Sequence, residues 1–232
     1  MEFSEPITEV IQRTHDVKSF RFNRPEGFDY KAGQYVFITI PVNGEMVRKP
    51  LTLSSSPTEK NHLEFTKKLT GHEYSNVLDS MNPGNLLKID GPYGKMTFEG
   101  EYEKIALLSG GIGITPMISI CKYCTDLNLD TSITLVSSYK TEDDIVFYSE
   151  LENLQKLNDN LKVVITLTRA SSEWQGCREH ICENLITREI PDFKDYMYYL
   201  CGPPGMVKSV ISLLENLEIP RNKVKKELFT GY

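Results

Sequence analysis

Ile105-Ala106-Leu107-Leu108-Ser109-Gly110-Gly111-Ile112-Gly113-Ile114-Thr115-Pro116-Met117 decides how the rest of the chain is read. An apolar run, a glycine-rich turn and a proline suited to the first turn of a helix together describe a buried strand feeding a helix. The stretch stays uncharged as far as Cys121 and approaches the length of a membrane span, but Gly110, Gly111, Gly113 and Pro116 divide it into two short segments. In an open α/β sheet, ligands bind at the carboxyl ends of strands. There glycines let a phosphate reach the backbone, and a helix N-terminus favours negative charge. Gly110, Gly111, Gly113, Thr115 and Pro116 are therefore candidates for a nucleotide loop. Close packing of strand on helix would require the same glycines, and their spacing departs from the usual dinucleotide fingerprint.

Downstream, apolar runs at 105–108, 133–136, 161–167 and 197–201 alternate with helical patterns at 116–124, 147–157 and 205–217, and a last β-like segment spans 224–229. That rhythm predicts a parallel sheet covered by helices. A second loop of the same kind, Cys201-Gly202-Pro203-Pro204-Gly205-Met206, follows the 197–201 strand. Upstream the pattern is different. Short β-type runs at 7–12, 17–22, 34–40, 46–53, 62–68 and 86–89 are separated by turn residues, Asn43-Gly44 being a strong hairpin signal. Only 74–80 reads as helix. The fold class expected is β followed by α/β: a six-stranded antiparallel barrel in 1–100 and a parallel-sheet nucleotide-binding domain in 101–232.

With 26 Lys and Arg against 32 Asp and Glu, the 232-residue chain carries a formal net charge of −6, which offers nucleic-acid phosphates no general attraction. Its 40% hydrophobic content suits a folded protein. The acidic start Met1-Glu2-Phe3-Ser4-Glu5 lacks the charge and apolar core of an export signal, and no integral membrane segment is expected. Cys121, Cys124, Cys177, Cys182 and Cys201 are odd in number and unevenly spread, which fits reduced thiols and a cytoplasmic location. Cys121 and Cys124 have C-x-x-C spacing, but no second pair or histidine set joins them, so packing is the expected role and no metal is expected. Ser54-Ser55-Ser56 reads as a turn, and Glu142-Asp143-Asp144 as a solvated helix start.

Ala32-Gly33-Gln34-Tyr35, Lys49-Pro50-Leu51-Thr52, Gly91-Pro92-Tyr93-Gly94, the Gly110 to Pro116 loop, the Cys201 to Met206 loop and Glu227-Leu228-Phe229 follow one another along the chain. In this order and spacing they resemble the ferredoxin-NADP reductase superfamily of flavin-dependent electron-transfer enzymes, over nearly the whole length. The four closely spaced cysteines of a fused iron-sulfur segment are missing, so the resemblance is to a reductase module alone.

What the resemblance implies can be placed residue by residue. Lys49, Pro50, Leu51 and Thr52 would line the flavin of FAD, with Thr52 at the reactive edge of the ring. Phe65, Thr66, Lys67, Lys68, Glu73, Tyr74 and Ser75 would hold its ribityl and pyrophosphate part. Gly110, Gly111, Gly113, Thr115, Pro116, Cys201, Gly202, Pro203, Pro204 and Met206 would form the nicotinamide-nucleotide loops. Cys201 would stand near the carbon that gives up hydride, although a cysteine at a strand end is as readily a packing residue. Lys140 and Arg169 fall where the adenosine ribose is read and can meet either NADH or the 2′-phosphate of NADPH. Phe229 and Tyr232 would cover the other flavin face, with plain packing as the alternative. Two departures stand out: Leu51 replaces a stacking tyrosine, and Lys49 replaces an arginine and its planar fork.

The function expected is an NAD(P)H-dependent flavin oxidoreductase. Thr52 and Cys201 would flank the reacting atoms, and electrons would pass to a ferredoxin, a flavodoxin, an oxygenase component or a small molecule. The alternative is a flavin-containing electron-transfer subunit of a larger complex.

Overall fold

The computed structural model describes residues 1–229, and Tyr232 lies outside them. In the first half, β-branched and aromatic residues alternate with polar ones, as in Tyr35-Val36-Phe37-Ile38-Thr39-Ile40, and the chain forms strands. β1 (Glu2–Thr14), β2 (Val17–Asn23), β3 (Tyr35–Val42), β4 (Glu45–Thr52), β5 (His62–Lys68) and β6 (Leu86–Tyr93) pair antiparallel in the order β4-β3-β6-β1-β2-β5. A Leu53–Phe65 bridge and a 2.8 Å bond from Ser54 N–H to the Glu64 carbonyl join the two outer strands, so the sheet curls into a barrel. Asn43 and Gly44 make the β3–β4 turn at φ 51° and 85°. α1 (Glu73–Ser80) plugs one barrel end with Tyr74 and Leu78, and the Tyr74 hydroxyl donates to the Ile38 carbonyl at 3.0 Å.

β1 is longer than its apolar pattern suggests. Its first part pairs with β6 and its second with β2, with a register shift between Ile7 and Glu9. A strand shared between two neighbours around a corner has no single buried face, so alternation fades.

In the second half, β7 (Lys104–Gly110), β8 (Ser132–Tyr139), β9 (Leu161–Leu167), β10 (Met197–Gly202) and β11 (Val224–Leu228) form a parallel sheet in the order β11-β10-β7-β8-β9. Central β7 is apolar on both faces because both are covered. Ile105 and Leu107 pack with α2 (Ile114–Asp126) and α3 (Tyr148–Leu157), while Ala106 and Leu108 pack with α4 (Glu183–Glu189) and α5 (Pro204–Asn216). The sequence pattern does not reveal α4. Only Leu185 and Ile186 are buried in it, too short a stripe to show a helical period.

Ser54, Ser55 and Ser56, read as a turn, are completely buried. Ser54 donates to Glu64 Oε1 at 2.8 Å, the Ser55 hydroxyl accepts from the Glu64 N–H at 3.0 Å, and Ser119 of α2 donates to the Ser55 carbonyl at 2.6 Å. The serines satisfy buried backbone where the barrel meets the second half. Arg13 reinforces the junction, reaching Glu64 at 3.0 Å and pairing with Glu150 of α3.

Candidate functional site

The carboxyl ends of the parallel strands turn toward the barrel. After β7, a single 3-10 turn (Gly111–Gly113) lies against β5 and leads directly into α2. Gly111 takes φ 53°, a left-handed conformation that costs glycine little. The Thr115 hydroxyl donates to the Ile112 carbonyl at 3.1 Å and holds the turn against the helix. After β10, Pro203 leads into α5 with Pro204 in its first turn. Met206 Sδ and Pro203 Cδ would each lie 3.4 Å from a Cβ on Gly110, so the two loops adjoin. Phe229 N–H bonds to the Gly202 carbonyl at 3.1 Å, which brings the residue after β11 to the same edge.

Ser109, Cys201 and Glu227 are register neighbours across β7, β10 and β11 at that edge. Cys201 has no solvent exposure, and burial, followed by the charge of Glu227, pushes its thiol well above its usual range. It is therefore neutral, part of the floor beneath the loops. Glu227 is the residue whose individual role sequence reasoning missed. Its Oε2 is buried with no hydrogen-bond partner among the described residues, and burial pushes its carboxyl up to about 7. The available signal was a lone carboxylate beside Leu228 and Phe229.

On the barrel side, Lys49 and Pro50 are exposed, whereas Leu51 and Thr52 are 5% and 4% exposed. The Leu51 side chain belongs to the barrel core, which leaves little of it to cover a ring. Phe65 likewise stacks on Phe20 at 5.2 Å inside the barrel. The Thr66 hydroxyl lies 2.7 Å from Ser19 Oγ and 2.8 Å from Ser54 Oγ, and Ser75 Oγ accepts from the Thr70 N–H at 2.8 Å. These side chains are used in holding β5 and the start of α1 in place. The cations remain: Lys67 is 8% exposed, its ammonium donating to the Lys68 carbonyl at 2.9 Å, and Lys68 pairs with Asp16 at 2.6 Å. Glu73 is exposed at the helix start. Lysines beside the first turn of α1 form a donor set suited to a diphosphate.

At the far end of the sheet, Arg169 N–H bonds to the Lys140 carbonyl at 2.8 Å, so the strand ends of β8 and β9 carry both exposed cations together. Beside them Glu142 accepts from Ser171 N–H at 3.0 Å and from its hydroxyl at 2.6 Å, and the Ser171 hydroxyl holds its carboxyl below the usual range. Thr141 and Asp144 close a capping box, consistent with the helix start read there. Cys121 and Cys124 are buried, and burial raises both thiols, as suits packing residues.

Residues 5–98 match the family model "Oxidoreductase FAD-binding domain" and residues 107–211 match "Oxidoreductase NAD-binding domain". The chain thus carries an oxidoreductase FAD-binding domain followed by an oxidoreductase NAD-binding domain. It is 31% identical over 227 residues to the glycine betaine monooxygenase reductase subunit of Pseudomonas aeruginosa, covering 95% of this chain and 62% of that relative's length. In fold it matches the cytochrome b5 reductase domain of Ulva prolifera nitrate reductase with a TM-score of 0.87 at 24% identity, covering 98% of this chain and 97% of the other. It also matches a ferredoxin NADP+ reductase from Neisseria gonorrhoeae with bound FAD and NADP, with a TM-score of 0.84 at 22% identity and 98% of each chain covered. The barrel followed by a parallel sheet is thus the arrangement expected from the sequence. No helix among the described residues is long and apolar enough to cross a membrane.

Proposed function

We propose that this chain is the reductase module of an electron-transfer system, taking hydride from NADH or NADPH through FAD and delivering electrons to an acceptor protein. The observation that carries the reading is the packing of the Gly111–Gly113 turn against β5, which puts the loops read as nicotinamide-binding beside the strands read as flavin-binding. In this reading 1–100 holds FAD and 101–232 holds the nicotinamide donor. FAD, when bound, supplies hydride acceptance and one-electron release.

The protein's own residues position and exclude. Thr52 presents a hydroxyl at the end of β4, and Lys49 with Lys67 offers charge to the phosphates. The glycine loop admits the donor's backbone-hugging phosphates, while Cys201 and Ser109 form an uncharged floor that keeps water from the reacting carbons. Lys140 and Arg169 read the adenosine end. The name of the Pseudomonas relative favours an oxygenase component as acceptor, and the unpaired cysteines favour the cytoplasm.

Anaerobic mixing of the flavin-loaded protein with NADH or NADPH tests the reading: loss of the oxidised flavin absorbance is expected, and no bleaching by either donor would sink it.

A further inference from the structure

Where the barrel half ends, one lysine ties it to two strands of the parallel sheet. The ammonium of half-buried Lys225 donates to the Thr97 carbonyl at 2.9 Å, to Glu101 Oε1 at 2.9 Å and to the Tyr199 hydroxyl at 3.1 Å, which engages all three of its protons. It lies 5.0 Å from the ring centroids of Tyr102 and of Tyr199. The Tyr199 hydroxyl in turn donates to the same Thr97 carbonyl at 3.1 Å. Thr97 adjoins Phe98, whose N–H bonds to the Ala32 carbonyl at 3.2 Å within the barrel half. Glu101 and Tyr102 belong to the segment that leaves it.

Tyr199 and Lys225 are register partners across β10 and β11, and so are Cys201 and Glu227. Side chains two residues apart on a strand share a face. Tyr199 therefore shares a face with Cys201, and Lys225 shares one with Glu227. The lysine fixes both strands two residues before they reach the edge that carries the nucleotide loops.

We propose that Lys225 is a positioning residue for hydride transfer: it docks β10 and β11 on the end of the barrel half and so sets the approach of the nicotinamide loops to the flavin ring. This rests on the reading of the chain as an NAD(P)H-dependent flavin reductase. In that reaction a hydride, two electrons and one proton, passes from the reduced nicotinamide to the oxidised flavin. The transfer is sensitive to small displacements of the reacting atoms, whereas donor affinity is spread over the phosphate and adenosine contacts. Loosening the lysine should therefore slow reduction more than it weakens donor binding.

The test compares the parent with Lys225→Met and Tyr199→Phe, as full chains. Without flavin, amide hydrogen exchange in β11 should quicken by about tenfold in Lys225→Met and by less in Tyr199→Phe, with β9 unchanged. Loaded with FAD and mixed anaerobically with NADH or NADPH, Lys225→Met should bind the donor within about twofold of the parent and reduce its flavin about tenfold more slowly. It should also lose most of the long-wavelength charge-transfer absorbance that reports contact between the two rings. Tyr199→Phe should fall between, and it decides by the same readouts if Lys225→Met does not fold. Parent-like exchange, or a parent-like rate and charge-transfer absorbance per bound flavin, would overturn the positioning role and leave the reductase reading standing. A fall in FAD content or melting temperature alone would do the same, since that is the outcome for a lysine that only stabilises. If neither donor reduces the parent, the reductase reading fails and the proposal with it.

Discussion

A Cβ placed on Gly113 would lie 2.2 Å from the carbonyl oxygen of Cys201 and 2.5 Å from its carbonyl carbon. The two loops at the carboxyl edge of the parallel sheet therefore meet backbone to backbone, and neither can shift without the other. Gly113→Ala should cost about 2–4 kcal/mol of stability, because rigid backbone must retreat. Thermal unfolding checks this. A melting temperature within a degree of the parent would mean that the loops yield freely.

Thr52→Val keeps the volume and removes the hydroxyl at the end of β4. Flavin reduction by the donor should slow by about five- to tenfold, the worth of one hydrogen bond made near the reacting edge, with FAD content unchanged. Stopped-flow absorbance measures the step. Equal rates would move the ring edge elsewhere.

Arg169→Ala separates the two donors. If the guanidinium grips a 2′-phosphate, KM for NADPH should rise by roughly 10- to 100-fold and that for NADH by little. Glu142, tied to Ser171 next to this site, opposes a second anion there. Glu142→Gln should thus shift preference toward NADPH. Losses shared equally by both donors in Arg169→Ala would remove it as the selecting residue.

Glu227 makes a pH prediction with a definite sign. Burial raises its carboxyl to about 7 in the folded chain, from 4.5. Between those values the folded state holds the proton that the unfolded state has released, so its contribution to stability is lost as pH rises through the window and is constant above it. Glu227→Gln should match the parent near pH 4 and exceed it by roughly 3 kcal/mol at pH 8. Urea unfolding of the flavin-free chain at both pH values decides, and the same difference at each would assign the effect to something other than ionisation.

Glu64 behaves in the opposite sense. Burial alone would raise its carboxyl, but the charges of Arg13 and Lys122, the Ser54 hydrogen bond and Arg21 together hold it below 4.5. Its stabilisation is present above the unfolded value and fades as pH falls through the folded one. Glu64→Gln leaves Arg13 and Arg21 short of a buried partner and should cost about 3 kcal/mol at pH 7. The cost should shrink at acid pH. A loss that does not change with pH would place the effect in packing rather than charge.

Local sequence was enough for the architecture. The change from short alternating runs to apolar runs spaced by helices requires a barrel followed by a covered parallel sheet, since the side-chain period decides which faces must be buried. The loops Gly110 to Pro116 and Cys201 to Met206 were legible for the same reason: glycine and proline act through their own backbones. What depended on neighbours was not legible. Ser54, Ser55 and Ser56 look like a turn, and only the approach of Glu64 and Ser119 makes them a buried junction. Leu51 occupies a position read as flavin-lining and Phe65 one read as holding the ribityl and pyrophosphate part, yet the curl of the barrel turns both side chains into its core. Cys201, Glu227 and Lys67 are ordinary residues in the sequence. Burial sets their protonation, joined at Cys201 and Lys67 by a neighbouring charge, and those are properties of the packed chain, because an ion's energy depends on the medium and charges around it rather than on its place in the sequence.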